Sequence, residues 1–230
     1  MRLQIIFATG NKDKVREVRE IIADPEIHVI TMREAGLETE PEENGESFEE
    51  NALIKALAVA EALAEKGKAP VPGLDPEIPT VIMSDDSGLA VDALNGEPGI
   101  YSARYMGRDT SYYEKMHHIM DQLEGLPEEE RSARFVDACD CVIPERWLSF
   151  FDIDEEDTTE LGAELIVRGE MEGLIGHEIQ GEHGFGYDPF FYLPEYGKTS
   201  AQISPEEKNL ISHRGKAFRG MIEKLDELML

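Results

Sequence analysis

Two cysteines, one tryptophan and no H-E-x-x-H spacing among six histidines leave little room for several chemistries. Cys139 and Cys141 have no second Cys or His pair with which to complete a tetrahedral zinc pattern. Their i, i+2 spacing puts both on one face of a strand, where they read as reduced thiols in or near a core. The missing H-E-x-x-H disfavours a zinc hydrolase. No apolar run approaches the roughly 20 residues needed to cross a bilayer. The apolar opening, ending in Ile5-Ile6-Phe7, runs straight into Gly10-Asn11-Lys12 without a small-residue cleavage site. It reads as a first buried strand rather than a leader, so the cytoplasm is the expected location. Cations are scarce as well: 22 Lys and Arg stand against 49 Asp and Glu, a net charge of −27. That excludes a general affinity for nucleic acid, which needs basic surface. It also repels any polyanionic substrate, which would require the few cations to be concentrated at one place together with a divalent metal.

What is present suffices for a globular protein. The 230 residues, 41% of them hydrophobic, can form one domain or two lobes sharing a sheet. Residues 3–8 read as a buried strand, 11–23 as a helix with Val15, Val18, Ile21 and Ile22 at helical spacing, and 27–31 as a second strand. This order suggests an α/β architecture. After a polar stretch, Ser47 and Glu50 form the capping box of a longer helix. Its expected stripe is Leu53, Ala56, Leu57 and Ala60, and it ends near Lys66 and Gly67. The stretch 69–79, with Pro70, Pro72, Pro76 and Pro79, is a loop. Residues 80–84 form a short buried strand that delivers Asp85 and Asp86 at its end. Residues 112–123 form a helix, and 133–143 and 164–169 form strands expected to be long and antiparallel. The acidic connection 152–160 reads as a solvated loop. The last helix begins near Ser212 and carries Phe218, Met221, Ile222, Leu225 and Leu228 toward the core.

Five segments can carry chemistry. Thr9, Gly10, Asn11, Lys12, Asp13 and Lys14 form a glycine-containing strand-to-helix turn that can present N–H groups and a helix N-terminus to an anion. It lacks the Walker pattern and serves equally as a plain turn. Ser84-Asp85-Asp86-Ser87-Gly88 offers carboxylates suited to magnesium or to positioning a water, and D-S-G is also ordinary turn chemistry. Glu42-Glu43-Asn44-Gly45 can add a metal carboxylate, or it can be a solvated acidic loop. Asn51 and Lys55 share a helix face, with Lys55 able to reach a phosphate or to sit at the surface. In Gly184-Phe185-Gly186-Tyr187-Asp188-Pro189, two glycines allow close backbone approach to a ligand. Phe185 or Tyr187 can stack on a base, and Asp188 can accept hydrogen bonds from it. Lys208, His213 and Arg214 lie just before or within the first turn of the last helix, where cations oppose the helix dipole and a bound anion would resolve the conflict.

In the same order these segments resemble the Ham1-type inosine/xanthosine triphosphate pyrophosphatases. The similarity runs through T-G-N-K-D-K, F-E-E-N-A-L-I-K, the highly specific S-D-D-S-G-L-A-V-D-A-L-N-G-E-P-G-I-Y-S-A-R-Y block, G-F-G-Y-D-P-F-F and E-K-N-L-I-S-H-R, over nearly the whole chain. The resemblance implies one domain, 1–230, of two lobes, with a long mixed central β-sheet flanked by helices and the active site in the cleft between lobes. It implies that Asp86 is the general base and a Mg2+ ligand, that Glu43 is the second metal carboxylate, and that Asp85 has a supporting role. Residues 9–14, Ser87, Lys55 and Lys208 would hold the triphosphate. Phe185, Gly186, Tyr187, Asp188, His213 and Arg214 would hold the base and sugar. The implied substrates are purine nucleoside triphosphates with a 6-oxo group, and the implied assembly is a homodimer. The alternatives are a related house-cleaning pyrophosphatase for other modified nucleotides and a non-catalytic nucleotide-binding protein. The chain departs from the family pattern in the long loop 69–79 and the acidic connection 147–160, neither of which touches a matched site residue.

Overall fold

A computed structural model describes residues 2–67, 69–154 and 158–230. Of the acidic connection, Glu155, Glu156 and Asp157 lie outside the described residues. The chain forms two compact units. The first comprises Met1–Asp86, Ala138–Arg168 and Ala217–Leu230, and the second comprises Ser87–Asp137 and Gly169–Lys216. The elements are β1 (Leu3–Phe7), α1 (Lys12–Ile21), β2 (Ile27–Thr31), α2 (Phe48–Glu65), β3 (Thr80–Val91), α3 (Tyr112–Gln122), β4 (Ser132–Pro144), β5 (Thr158–Thr159), β6 (Gly162–Ile175), β7 (Phe191–Leu193), β8 (Lys198–Thr199), α4 (Pro205–Ile211) and α5 (His213–Leu228). The sheet is mixed, in the order β2-β1-β3-β4-β6-β7-β8 with β5 on β6. β1 lies parallel to β2 and β3, whereas β6, β7 and β8 pair antiparallel in turn. Among the described residues, no helix is long and apolar enough to cross a membrane.

Strand alternation divides the core of the first unit. Leu3, Ile5 and Phe7 of β1, with Val81 and Met83 of β3 and Cys139 and Cys141 of β4, pack with Val18 of α1 and Phe218, Met221 and Leu225 of α5. Ile6, Ile82 and Val142, which alternate with them, pack with Ala56, Val59, Ala60 and Leu63 of α2. Helices therefore cover both faces of these strands. Both cysteines are buried and form no disulfide, in keeping with reduced thiols in a core. The stripe of α2 is Ala52, Ala56, Val59, Ala60 and Leu63, with Leu53 and Leu57 only half-buried. Small residues let this helix lie close to the sheet. Its capping box is half formed. Ser47 Oγ accepts from the Glu50 N–H, but the Glu50 carboxylate accepts from the Glu46 N–H one residue earlier.

The proline-bearing loop is fastened from below. Gln4, fully buried in β1, donates to the carbonyls of Asp75 (2.9 Å) and Ile78 (3.3 Å) and to Thr80 Oγ1 (3.0 Å), and its own carbonyl accepts from the Asp75 N–H (2.8 Å). In the second unit, Leu89, Phe135, Met171 and Phe191 form a core with Met116, Ile119 and Leu123 from α3 and the residues just after it. Arg131 is buried there and donates to the carbonyls of Leu123, Ile175 and Gly176.

Three strands run longer than the sequence suggests. β3 continues to Val91, so Asp85 and Asp86 lie mid-strand and the D-S-G segment is no turn. β4 spans Ser132–Pro144 and β6 spans Gly162–Ile175. The last helix is preceded by a separate one, α4, capped by Ser204 and Glu207 with Pro205 in its first turn.

Candidate active site

In the first unit, adjacent positions on β3 point to opposite sides, and the two aspartates take different partners. Asp85, fully buried as a side chain, pairs with Lys14 of α1 at 3.0 Å. Asp86, 9% exposed, pairs through Oδ1 with Lys55 of α2 at 3.1 Å. The same ammonium lies 3.0 Å from Glu43 Oε2, so one lysine holds both carboxylates. Asp86 Oδ2 is buried and has no hydrogen-bond partner among the described residues. Burial pushes the Asp86 carboxyl above the ordinary range, although Lys55 and Lys14 pull it down. For Lys55, burial works against the charged form, but Asp86, Asp85 and Glu43 outweigh it and hold the ammonium above its usual value.

Glu43 is placed by its loop. The Asn51 side chain, 1% exposed, accepts from the Gly45 N–H at 2.9 Å and draws residues 42–45 onto the start of α2. A Cβ at Gly45 would stand 2.7 Å from Glu50 Cβ, so only glycine allows this approach. The turn at 9–14 is more self-contained than its sequence implies. Asn11 caps α1, and its side-chain oxygen accepts from the Asp13 and Lys14 N–H groups at 2.9 and 3.3 Å. Those two donors are therefore already satisfied. A cavity of about 810 Å³ opens beside this turn, lined by Thr9, Gly10, Lys12, Arg16, Arg19 and Met32 among others, but not by Glu43, Lys55 or Asp86.

In the second unit the glycine-rich loop is organised by Asp188, which is 2% exposed. Its carboxylate accepts from the Phe185 N–H (2.8 Å), Ser200 Oγ (2.7 Å) and Lys208 Nζ (2.7 Å). These contacts tie Asp188 to the loop and place it in a buried ion pair with Lys208. Gly184, at φ +74°, makes room for it, since a Cβ there would meet Asp188 Oδ2 at 2.1 Å. Tyr187 is buried in the core, its hydroxyl donating to the Ser102 carbonyl at 3.0 Å, and burial drives its phenol well above the usual range. Of the two rings considered for stacking, Phe185 is the one left half-buried, with the charged groups of Lys208 and Arg214 at 5.4 and 5.6 Å from its centroid. Gly186, at φ +68°, faces the Tyr112 ring.

Lys208 occupies the last turn of α4, where a cation favours the dipole, so the conflict expected from sequence is confined to His213 and Arg214 at the start of α5. Arg214 donates to Ser87 Oγ at 2.8 Å. The cations do not stand bare to offset the −27 charge: Lys14, Lys55, Lys208 and Arg214 each face a carboxylate within their own unit. The partner of Arg214, Asp137, was not singled out from sequence, although an aspartate inside the apolar run A-R-F-V-D-A-C was a signal for it.

Two carboxylates near one point, one with an unpartnered oxygen, suit a hard divalent cation that takes its other ligands from water and phosphate. No group of three or more His, Cys, Asp or Glu that could hold a metal occurs among the described residues.

Residues 5–224 match the Ham1 family. A dITP/XTP pyrophosphatase of Clostridium perfringens is 36% identical over 226 residues, 98% of this chain and 98% of that protein. Another, of Yersinia pseudotuberculosis, is 40% identical over 222 residues, 96% and 98% of the two chains. Among solved structures, a HAM1 protein from Coxiella burnetii is 34% identical with a TM-score of 0.76, over 98% of this chain and 99% of that one.

Proposed function

The chain belongs to the Ham1 family, and from that premise we propose that it hydrolyses non-canonical purine nucleoside triphosphates (ITP, dITP and XTP) to the monophosphate and pyrophosphate, with magnesium as cofactor. The observation that carries this reading is the arrangement of Glu43, Lys55 and Asp86, in which one lysine gathers two carboxylates and leaves Asp86 Oδ2 unpartnered.

Asp86 and Glu43 would hold the metal, which when bound supplies polarisation of the phosphates and stabilisation of developing charge. Asp86 orients the attacking water in line with the α-phosphorus and accepts its proton, a role helped by a carboxyl held above the ordinary range. Lys14 and Lys55 offset charge on the leaving pyrophosphate. At the other end of the substrate, Phe185 stacks on the base, and His213 and Arg214 donate toward its 6-oxo group. Against the amino group of adenine the same donors would be opposed, and that mismatch discriminates. The reading includes a homodimer acting in the cytoplasm, with the oligomeric state to be read by light scattering on the purified protein.

The test is pyrophosphate release from inosine, deoxyinosine, xanthosine, guanosine and thymidine triphosphates. With magnesium, the first three are expected to be turned over fastest, and EDTA is expected to stop the reaction. No release from inosine triphosphate would overturn the reading. Asp86→Asn is expected to abolish turnover while nucleotide binding persists; an unchanged rate would remove Asp86 from its role.

A further inference from the structure

β4 holds the head of α5 by two residues on one face. Phe135 and Asp137 are i and i+2 on the strand and so point the same way. The ring of His213 stacks on Phe135, with centroids 4.9 Å apart and planes at 15°. Asp137 Oδ1 lies 3.7 Å from Nη2 of Arg214, and both side chains are almost wholly buried. The same Nη2 donates to Ser87 Oγ. One strand thus supplies an aromatic seat for the histidine and a countercharge for the arginine.

A buried guanidinium is costly without a countercharge, because its hydration is lost. Asp137 cannot act by changing the protonation of Arg214, which stays charged in any environment. Two effects remain. The carboxylate attracts the planar fork by charge, which biases where its donors point, and it makes the pair electrically neutral. A neutral, directed pair favours a carbonyl over a phosphate as the group that Arg214 meets.

We propose that Asp137 is the positioning residue of Arg214 and through it a determinant of base discrimination, an inference that rests on the nucleotide-pyrophosphatase reading above. Asp137 touches no substrate; it sets how Arg214 does.

The experiment is a double-mutant cycle with Asp137→Asn and Arg214→Gln, read as the ratio of kcat/KM for inosine triphosphate to that for adenosine triphosphate. In the parent background, Asp137→Asn is expected to narrow the ratio about tenfold, whereas in the Arg214→Gln background it changes the ratio by less than about twofold. A merely structural aspartate would lower the melting temperature and leave the ratio alone. An unchanged ratio, or equal narrowing in both backgrounds, overturns the proposal. If Asp137→Asn alone fails to fold, the double variant, which buries neither charge, is expected to fold; a double variant as unstable as the single one also overturns it. Failure of the parent protein to hydrolyse inosine triphosphate would instead strike the functional reading. Melting temperatures of the same four proteins would then still read the Asp137–Arg214 coupling.

Discussion

Asp140 gives the first unit a pH-dependent weakness that one substitution should remove. It lies in β4 between Cys139 and Cys141, is fully buried, and faces Glu164 of β6. Burial, with the negative charge of Glu164 on β6 added, lifts its carboxyl from 3.8 to about 8. The folded protein therefore keeps a proton that the unfolded chain releases above 3.8. Stability should fall as pH rises from there to about 8 and then level off. The limiting slope is about 1.4 kcal/mol per pH unit, so roughly 1.5–3 kcal/mol is lost between pH 5 and 7 once part of the effect is assigned to Glu164. Asp140→Asn removes the titration and keeps the shape. The assay is urea unfolding at pH 5, 6, 7 and 8, followed by fluorescence of Trp147, the sole tryptophan, which packs in the same cluster as Cys139 and Cys141. Repulsion among the other carboxylates acts on both proteins, and the buried amide adds a constant, so both cancel in the pH trend of the difference. The advantage of Asp140→Asn is expected to grow by about 1 kcal/mol per pH unit with unchanged m-values. A difference that does not vary with pH would refute the reasoning.

Lys55→Ala leaves Glu43 and Asp86 without their shared cation, and the rate of pyrophosphate release from inosine triphosphate is expected to fall by about 100-fold or more. Gln4→Ala strands the Asp75 N–H and the carbonyls it serves; a loss of about 2–4 kcal/mol in urea unfolding is expected, with faster proteolysis within 69–79. Gly184→Ala combines a positive φ with a Cβ driven against Asp188, so a loss of about 1–3 kcal/mol and a raised KM for the nucleotide are expected from melts and steady-state rates.

Local rules made much of this protein legible. β2 spans the 27–31 expected of it, Ser47 starts α2, and α1 lies within the helix expected over 11–23. Misreadings arose where tertiary burial overrode local chemistry. D-D-S-G is a turn sequence by composition, but pairing and burial keep it extended to Val91. α4 carries a complete capping signal, Ser204-Pro205-Glu206-Glu207, but its seven residues are too few for an apolar period to separate it from the last helix. For the candidate site, residue types were readable and partners were not. Nothing local says that Lys14 takes Asp85, that Lys208 takes Asp188, or that an aspartate inside an apolar strand awaits Arg214.

The core of the first unit joins segments far apart in sequence, β1 and α5. Phe218 meets Phe7 edge to face at 5.4 Å, and Met221 and Leu225 share a cluster with Leu3 and Ile5. During synthesis, β1 leaves the ribosome well before α5, and its apolar face must wait for that helix. The nascent chain therefore carries an unfinished core until α5 has emerged, and contacts of such long sequence separation form slowly. A stalled or C-terminally clipped product would expose the face that α5 covers, making it a client for chaperones and proteases rather than a partly active enzyme.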